Sequence, residues 1–138
     1  MSYSNNQVSP YLPQIEADKV ALVAELKQIG VKHTPENILR IGKLSDGKIV
    51  FLEEGKGGDT GSGLKHILEK HLTDFANRGI SEKQIPDAII VAVVFGQIVG
   101  YQKPNRPIYQ IDYMGRTQLI AITVSNNGYI VCANPASL

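Results

Sequence analysis

The sequence predicts an α+β fold, in which N-terminal helices pack on one face of a mainly four-stranded antiparallel sheet. Two patterns support this class. Up to residue 96, the longest hydrophobic segments have helical character, whereas from Gln97 onward hydrophobic and polar residues alternate with a period of two. Because the helical and strand patterns are segregated along the chain, the fold is expected to be α+β rather than α/β.

The chain has the length and composition of a globular unit. Of its 138 residues, 43% are hydrophobic and 20% are charged, which argues against disorder. We expect a tail and a helix over residues 1–34 and the main domain over residues 35–138. The longest apolar run, residues 88–95, is shorter than the roughly 18 residues of a membrane span, so stable membrane association is not expected. A single cysteine, Cys132, excludes an internal disulfide.

Three segments carry helical signals. Residues 14–29 place apolar side chains at helical spacing and are followed by Gly30, a common residue at helix ends. Residues 64–77 form an amphipathic helix whose apolar stripe has His71 near its centre. Residues 87–95 are apolar on all sides, which predicts a buried helix.

Strand signals fall into two groups. Two short β-prone runs on either side of Ser45-Asp46-Gly47 predict a hairpin. Four later runs predict an antiparallel meander with turns at residues 115–116 and 127–128. These four runs comprise residues 98–102, 107–114, 117–125 and 129–134.

A glycine-rich segment separates the hairpin from the second helix. Residues 55–63 contain five glycines, which predicts a mobile loop. The spacing of a phosphate-binding loop and its closing Lys-Ser/Thr pair are missing. The segment is therefore either a flexible active-site loop or a plain linker.

Register arithmetic assigns the side chains of the meander to two faces. With a two-residue turn at Gly115-Arg116, Ile108 lies opposite Thr123. The first face, which the helices would cover, carries Tyr109, Ile111, Tyr113, Ile120, Ile122, Val124, Tyr129, Val131 and Ala133. The second face, open to a ligand, carries Ile108, Gln110, Asp112, Leu119, Ala121, Thr123, Ser125, Ile130, Cys132 and Asn134. A single β-bulge would invert this assignment.

The histidines are the candidate acid–base groups, because imidazole titrates near neutral pH. His66 follows the glycine-rich segment beside Lys65 and is the preferred candidate. His71 is expected to be a core histidine bonded to a carbonyl, and His33, in a turn context, is expected to be structural. Because His66 and His71 are five residues apart, they do not share a helix face as a metal-binding pair would, and no metal site is expected.

Charge and loop context indicate a candidate phosphate-binding residue. The net charge is only +1, but residues 97–138 carry three basic side chains against one acidic one. This imbalance indicates either an anionic partner or solvated turn residues. Arg106 lies in a loop bounded by prolines that can hold its guanidinium against a phosphate. Thr123 and Ser125 on the second face can position a phosphate or a 2′-hydroxyl.

Three stretches of the sequence together resemble a known family. They are GLKHILEKHLTDFANRGIS, IPDAIIVAVVFGQIVGYQ and RPIYQIDYMGRTQLIAITVSNNGYIVCANP. These stretches are similar to the C-terminal toxin domains of bacterial contact-dependent growth inhibition and related polymorphic toxin systems, in the Barnase–EndoU–colicin–RelE-like ribonuclease superfamily. The likeness depends on three features. One is a helix that begins with Gly-x-x-His-Ile and carries a second histidine; the others are an aromatic-plus-Arg strand entry and a last strand pair with a threonine and an Asn-Gly turn. The resemblance covers about residues 35–136.

The resemblance implies a fold of N-terminal helices on a four-stranded antiparallel sheet and a metal-independent ribonuclease that needs no cofactor. Its implied substrate class is tRNA, in which the 2′-hydroxyl attacks the adjacent phosphorus and leaves a 2′,3′-cyclic phosphate. By the same resemblance, the domain would be delivered as the C-terminal part of a larger secreted or cell-surface protein. It would act in the cytoplasm of the target bacterium, and a cognate, acidic immunity protein would occupy its cleft.

The resemblance also implies roles for particular residues. His66 would be the general acid or base, and His71 a second such group or its positioner. Arg106 would hold the phosphate and Thr123 would donate a hydrogen bond to it, with Tyr109 as a further participant. The substrate-binding residues would be Lys65, Lys103 and Ser125.

Two other functions are compatible with the residues. The chain could be a non-catalytic RNA- or protein-binding module that uses the second face. It could also be another toxin enzyme such as a deaminase, but the Cys-x-x-Cys and His-x-Glu zinc signature is missing.

Overall fold

The computed structural model describes residues 12–31 and 35–138, with the side chains of the first helix described from residue 18 onward. Within these residues the chain forms three α-helices and two antiparallel sheets, which confirms the α+β class. The helices are α1 (Leu12–Gln28), α2 (Gly63–Asn77) and α3 (Ile85–Phe95). A two-stranded hairpin consists of β1 (Ile38–Lys43) and β2 (Ile49–Glu53). The four-stranded sheet, in the order β3-β4-β5-β6, consists of β3 (Gln97–Gln102), β4 (Arg106–Tyr113), β5 (Arg116–Val124) and β6 (Ile130–Pro135).

The ends of α1 follow from its local sequence. The helix begins two residues before the predicted start at residue 14, because Pro13 is compatible with a first helical turn. It ends as predicted at Gly30, which adopts a positive φ of 75°. The amides of Gly30 and Val31 donate to carbonyl oxygens of the last turn, so this end of the helix is closed by its own backbone.

The first helix and the hairpin form a small hydrophobic core of their own. Leu22 and Leu26 of α1 pack with Ile41 of β1 and Phe51 of β2. The sequence predicts instead that every helix covers the four-stranded sheet. The structure differs because β2 is buried along its whole length, so the hairpin offers apolar side chains to α1 as well as to α3.

The main core lies between α3 and the first face of the four-stranded sheet. All the residues of α3 from Asp87 to Val93 are buried, as expected for a helix that is apolar on all sides. They pack against first-face side chains of β4 and β5, namely Ile111, Tyr113, Ile120 and Ile122.

The helix α2 runs alongside β6. At its start, the Ser62 and Tyr129 hydroxyls lie 2.9 Å apart. At its end, the Arg78 guanidinium donates to the carbonyl oxygen of Ala136 at 3.1 Å. Ile67 and Phe75 of α2 are fully buried in the main core. The histidine-bearing helix therefore lies next to the last strand of the sheet.

The β4–β5 turn is shifted by one residue from the predicted position. Tyr113 pairs with Arg116, so Met114 and Gly115 are the two turn residues rather than Gly115 and Arg116. Met114 has a φ of 52° and Gly115 a φ of 80°, as required at both positions of a type I′ turn. The change moves each cross-strand partner by two residues, so the assignment of side chains to the two faces of β4 and β5 is preserved.

A β-bulge separates β5 from the β5–β6 turn and changes one predicted side. Thr123 pairs with Cys132, but the next residue, Val124, pairs with Ile130. The extra residue in β6 places Ile130 on the first face, where it is fully buried, rather than on the second. Asn134 keeps its predicted second-face position, whereas Cys132, which pairs with Thr123, is buried in the main core.

The centre of the second face is covered, contrary to the prediction that this face is open. Ile108, Ala121 and Ala136 form a small buried cluster on it. The chain beyond β6 also crosses this face, since the Leu138 side chain lies against Gly100 of β3. The small residues of β5 and β6 are shielded here by their longer neighbours, so only the rim of the face remains accessible.

The hairpin is attached to the four-stranded sheet at the β5–β6 turn. The Phe51 amide of β2 donates to the Gly128 carbonyl oxygen at 2.9 Å, and the Phe51 and Tyr129 rings meet edge to face at 5.8 Å. Gly128 has a φ of 95°, and a side chain at this position would overlap the Ile49 carbonyl oxygen. Glycine is therefore required for the close approach of the two sheets.

Candidate functional site

The strand residues predicted to bind RNA gather at one end of the sheet, where β4 begins and β5 ends. Continuing the β4–β5 register by two residues from the pair Ile108 and Ala121 places Arg106 opposite Thr123. Lys103 is exposed in the turn before β4, and Ser125 follows β5. The predicted register, which put Ile108 opposite Thr123, was shifted by two residues, so it did not give the pairing of Arg106 with Thr123.

Arg106 is held on the second face by a residue that the sequence did not single out as functional. Its Nη1 donates to the Oδ1 of Asn134, and the Asn134 amide donates in turn to the carbonyl oxygen of Pro135 at 2.9 Å. Asn134 lies on β6, opposite Ala121, so the arginine side chain reaches across β5. This bond fixes the guanidinium above the second face, over the strand that carries Ala121 and Thr123.

The other side of Thr123 borders a cleft, which we call the hairpin–sheet cleft. It has a volume of about 440 Å³. It lies between the hairpin turn (Leu44, Lys48), the β3–β4 turn (Asn105, Pro107) and the β4–β5 pair (Tyr109, Thr123). The cleft is on the first face of the sheet, where Val93 near the C-terminal end of α3 also lines it.

Tyr109 lies in this cleft and not on the arginine side of the sheet. Its ring is half-buried, and burial raises the pKa of its phenol, with a smaller contribution from the neighbouring Tyr101. The phenol is therefore neutral at neutral pH and can donate or accept a hydrogen bond. Within the described residues, the hydroxyls of Tyr109 and Thr123 have no hydrogen-bond partner, so both are free to bind a ligand.

Lys48 and Ser125 connect the hairpin turn to the sheet at this end. The Lys48 ammonium donates to the Ser125 carbonyl oxygen at 3.3 Å. The Ser125 hydroxyl donates to the side chain of Asn127, so it stabilises the β5–β6 turn rather than facing a ligand freely. No sequence signal pointed to Lys48, because its position in the cleft depends on how the hairpin packs.

His66 is fixed by the glycine-rich segment. Its Nδ1 donates to the Gly58 carbonyl oxygen at 3.2 Å, which leaves Nε2 as the proton acceptor. The segment is closed by two backbone hydrogen bonds of 2.9 Å between Lys56 and Ser62. Lys65 is paired with Glu54, with 3.3 Å between the ammonium and the carboxylate.

His71 lies on the buried stripe of α2, as predicted, but its partner differs from the predicted carbonyl. Its Nδ1 donates to the carboxylate of Asp74 at 2.9 Å, and the imidazole keeps an exposed fraction of 26%. A carboxylate on Nδ1 orients the ring and leaves Nε2 as the free acceptor. Asp74 was not identified from the sequence, although its spacing of three residues on a helix is a detectable signal.

The structure does not join the two halves of the predicted site by direct contacts. Among residues 12–31 and 35–138, no hydrogen bond or ion pair connects either histidine with Arg106, Tyr109 or Thr123. The histidines lie on α2, next to β6, whereas Arg106 starts β4, two strands away. His66 nevertheless lies at the same end of the sheet as Arg106, because α2 begins beside Tyr129, whereas His71 lies midway along the helix.

Two further findings concern the described part of the chain only. No group of three or more His, Cys, Asp or Glu side chains is arranged to hold a metal ion there. None of its helices has the length and apolar character needed to cross a membrane. His33 and the residues 1–11 lie outside the described residues.

In the comparisons with known proteins, no family model matches this chain, and no curated protein matches it.

Proposed function

We propose that this chain is a metal-independent endoribonuclease toxin that cleaves tRNA by attack of a 2′-hydroxyl on the adjacent phosphorus. The P–O5′ bond breaks as the new P–O2′ bond forms, and the products are a 2′,3′-cyclic phosphate and a free 5′-hydroxyl. The reaction needs a base for the 2′-hydroxyl, an acid for the 5′-oxygen, and fixed donors for the charge that develops on phosphorus.

The observation that carries the proposal is the fixed guanidinium of Arg106. A guanidinium has five N–H donors, and Asn134 accepts from only one of its nitrogen atoms. The remaining donors can bind two phosphate oxygens in a bidentate manner, and the free Thr123 hydroxyl can bind a third. Because Asn134 holds the guanidinium in place before RNA arrives, little side-chain entropy is lost on binding.

The imidazoles of α2 supply the proton transfers in this proposal. Both present Nε2 as an acceptor, since Nδ1 is engaged by Gly58 in His66 and by Asp74 in His71. The strands β4 and β6 are two spacings apart, about 10 Å in total. Because the centre of the second face is covered, the scissile phosphate would bind at its accessible rim, between the Arg106 side chain and the start of the histidine-bearing helix.

The resemblance to polymorphic toxins supports the remaining parts of the proposal. These are a Barnase–EndoU–colicin–RelE-like fold, delivery within a larger secreted or surface protein, action in the cytoplasm of a target bacterium, and a cognate immunity protein. An immunity protein that blocks Arg106 would present carboxylates to it, because a bidentate carboxylate satisfies the same donors as a phosphate.

The central experiment is incubation of the purified protein with total tRNA in the presence of EDTA, followed by analysis of the RNA ends. We expect 2′,3′-cyclic phosphate ends. Replacing Arg106 by alanine should lower the cleavage rate by about 10²- to 10³-fold, the usual loss for one charge-stabilising donor. Arg116→Ala is the matched control, since Arg116 is an exposed arginine at the opposite end of the same strand pair, and it should retain near-full activity.

The two histidines are distinguished by parallel substitutions. Loss of a general acid or base should cost about 10²- to 10⁴-fold in rate and remove one limb of the pH–rate profile. His66→Ala and His71→Ala therefore identify which imidazole transfers a proton. Asp74→Asn, which keeps the size of the side chain but weakens the bond that orients the His71 ring, should slow cleavage only if His71 is the active one.

The outcome also separates the enzyme from a binding module. Tight RNA binding that depends on Arg106, with intact RNA and no toxicity in cells, would favour a non-catalytic module. The lack of direct contacts between the histidines and Arg106 is the observation that favours this alternative. If the protein neither cleaves RNA nor binds it, both functions are excluded.

A further inference from the structure

The hairpin–sheet cleft has the size of a ligand site. Its volume of about 440 Å³ lies within the range of about 300–1,000 Å³ that is usual for small-molecule pockets. One wall is formed by the sheet, the second by the hairpin turn, and Val93 of α3 closes the inner end. The cleft is built entirely from described residues and stays open to solvent at the β3–β4 turn.

The lining of this cleft combines a flat aromatic ring with a small number of polar groups. The Tyr109 ring, with Pro107 and Ile122 beside it, offers apolar surface against which a planar group can stack. The Asn105 side chain supplies both a donor and an acceptor, the combination that matches the edge of a nucleobase. Lys48 contributes a positive charge at the rim. Base–aromatic stacking with nearby cations is the usual way in which proteins bind single-stranded RNA.

The position of the cleft relative to Arg106 indicates which part of the RNA would enter it. Thr123 lines the cleft and also lies opposite Arg106 in the register of the sheet. Pro107, another lining residue, directly follows Arg106 in the chain. A phosphate bound to Arg106 would thus lie at the start of β4 on the second face, and the cleft opens at the same end of β4 on the first face.

We propose that the hairpin–sheet cleft binds one nucleobase of the RNA, on the nucleotide next to the phosphate held by Arg106, and that it sets the sequence preference of cleavage. This inference rests on the proposed ribonuclease function, but binding of the base can be measured without cleavage. Tyr109 stacks on the base, and Asn105 bonds to its edge. The cleft selects among the four bases because the Asn105 amide and the Tyr109 hydroxyl fit some base edges better than others.

The test is an NMR titration of the ¹⁵N-labelled protein with the four nucleoside 3′-monophosphates, with inorganic phosphate as the reference ligand. We expect the nucleotides to shift the amide signals of Asn105, Tyr109 and Thr123, and inorganic phosphate to shift only those around Arg106. Tyr109→Ala should weaken the best nucleotide about tenfold or more, whereas Tyr109→Phe, which keeps the ring, should weaken it about threefold at most. Tyr101→Ala is the control, because Tyr101 lies on the neighbouring strand, is 66% exposed and does not line the cleft.

The results distinguish this inference from the proposed function. Nucleotide binding through Tyr109 without RNA cleavage would support the cleft and overturn the enzyme. Cleavage at unchanged positions in Tyr109→Ala, with unchanged nucleotide affinity and a native circular dichroism spectrum, would overturn the cleft and leave the enzyme standing. Nucleotide shifts that match those of inorganic phosphate would also overturn it, since the base would then make no contact.

Discussion

The two faces of the four-stranded sheet are built from the same strands but pack in different ways. On the first face, Ile120 and Ile122 of β5 lie fully buried beneath α3. On the second face, the alternate positions of β5 and β6 hold Ala121 and Asn134, and Ala121 packs in a small cluster with Ile108 and Ala136. The first face is closed by large aliphatic side chains, and the second by small residues beneath longer neighbours.

This difference indicates that the two faces of the sheet have different roles, one in stability and the other in binding. Deep burial of large aliphatic groups contributes most of the stability, since the stabilisation scales with the apolar area removed from water. The second face buries less and retains polar groups, which are the ones that can bind an anion. Substitutions on the first face should therefore act on stability, and those at the rim of the second face should act on RNA binding.

The largest effect is expected from removing an aliphatic side chain on the first face. Ile120→Ala should lower the free energy of unfolding by about 4 kcal/mol, near the upper end for such substitutions, because helix α3 prevents collapse of the cavity. Ile108→Ala on the second face, although Ile108 is also only 3% exposed, should cost about 2 kcal/mol. Urea unfolding of the two variants measures the difference. Equal losses in the free energy of unfolding would contradict the expectation that burial on the first face contributes more to stability.

The second effect concerns the polar pair buried beneath the first face. The Tyr113 hydroxyl donates to the carboxylate of Asp87 at 2.7 Å, and Asp87 is fully buried. Tyr113→Phe should lower the free energy of unfolding by about 1–3 kcal/mol, because a buried carboxylate oxygen loses a donor. Tyr101→Phe, on an exposed ring, should be nearly neutral. A neutral Tyr113→Phe would mean that water or another group replaces the hydroxyl.

The same tyrosine should make stability depend on alkaline pH. Burial, and then the nearby Asp87 carboxylate, raise the pKa of the Tyr113 phenol above its usual value of about 10. The folded chain then keeps the proton above pH 10 while the unfolded chain releases it, so this contribution is full below about pH 10 and falls as the pH rises further. Thermal unfolding between pH 8 and pH 11 should show a shallower decline for Tyr113→Phe than for Tyr101→Phe.

A smaller change in stability, with a larger change in function, is expected for Asn134. Asn134→Ala should lower the free energy of unfolding by about 1–2 kcal/mol, because the hydrogen bonds of its side chain with Arg106 and with the Pro135 carbonyl oxygen are both lost. Without its acceptor, the Arg106 guanidinium is no longer fixed, so KM for tRNA should rise about tenfold while kcat changes less. A fall in kcat with unchanged KM would show that Asn134 does not act by positioning Arg106 for substrate binding.

The smallest effect on stability is expected from Thr123→Val, which replaces by a methyl group a hydroxyl that has no hydrogen-bond partner among the described residues. The free energy of unfolding should change by about 0.5 kcal/mol or less. Cleavage should fall about tenfold, because one donor to the phosphate is lost. Thr117→Val at the other end of β5 removes a hydroxyl that donates to Asp112 at 3.1 Å, and it should leave cleavage unaffected.

The sequence predicted those features of the fold that depend on local patterns. The period-two alternation from Gln97 located the four strands. The assignment of side chains to the two faces of β4 and β5 remained correct, because the error in the turn shifted the cross-strand partners by two residues. The position of the β4–β5 turn was wrong because Met114, which is not a typical residue for positive φ, occupies the first turn position. The bulge that moves Ile130 has no glycine signal and could not be located from the sequence.

The candidate site was predicted only in part for a different reason. The alternation placed Thr123 on the second face, but the predicted register paired it with Ile108, which pairs with Ala121 in the structure. The partners that fix the site, Asn134 and Lys48, depend on how separate elements pack, which a periodicity does not encode. The position of the histidines relative to Arg106 could not be predicted for the same reason, since it depends on where α2 lies beside β6.

The attachment of the hairpin to the β5–β6 turn has a consequence for the order of folding. Lys48 and Ser125, which it brings into contact, are 77 residues apart in the chain. Contacts of such long sequence separation are slow to form, because the entropy of loop closure must be lost before they contribute energy. The meander has local turns and should collapse first, and the N-terminal third should dock last. Refolding should accordingly end in a single late step. Gly128→Ala should slow this step, because the added side chain blocks the docking of the hairpin.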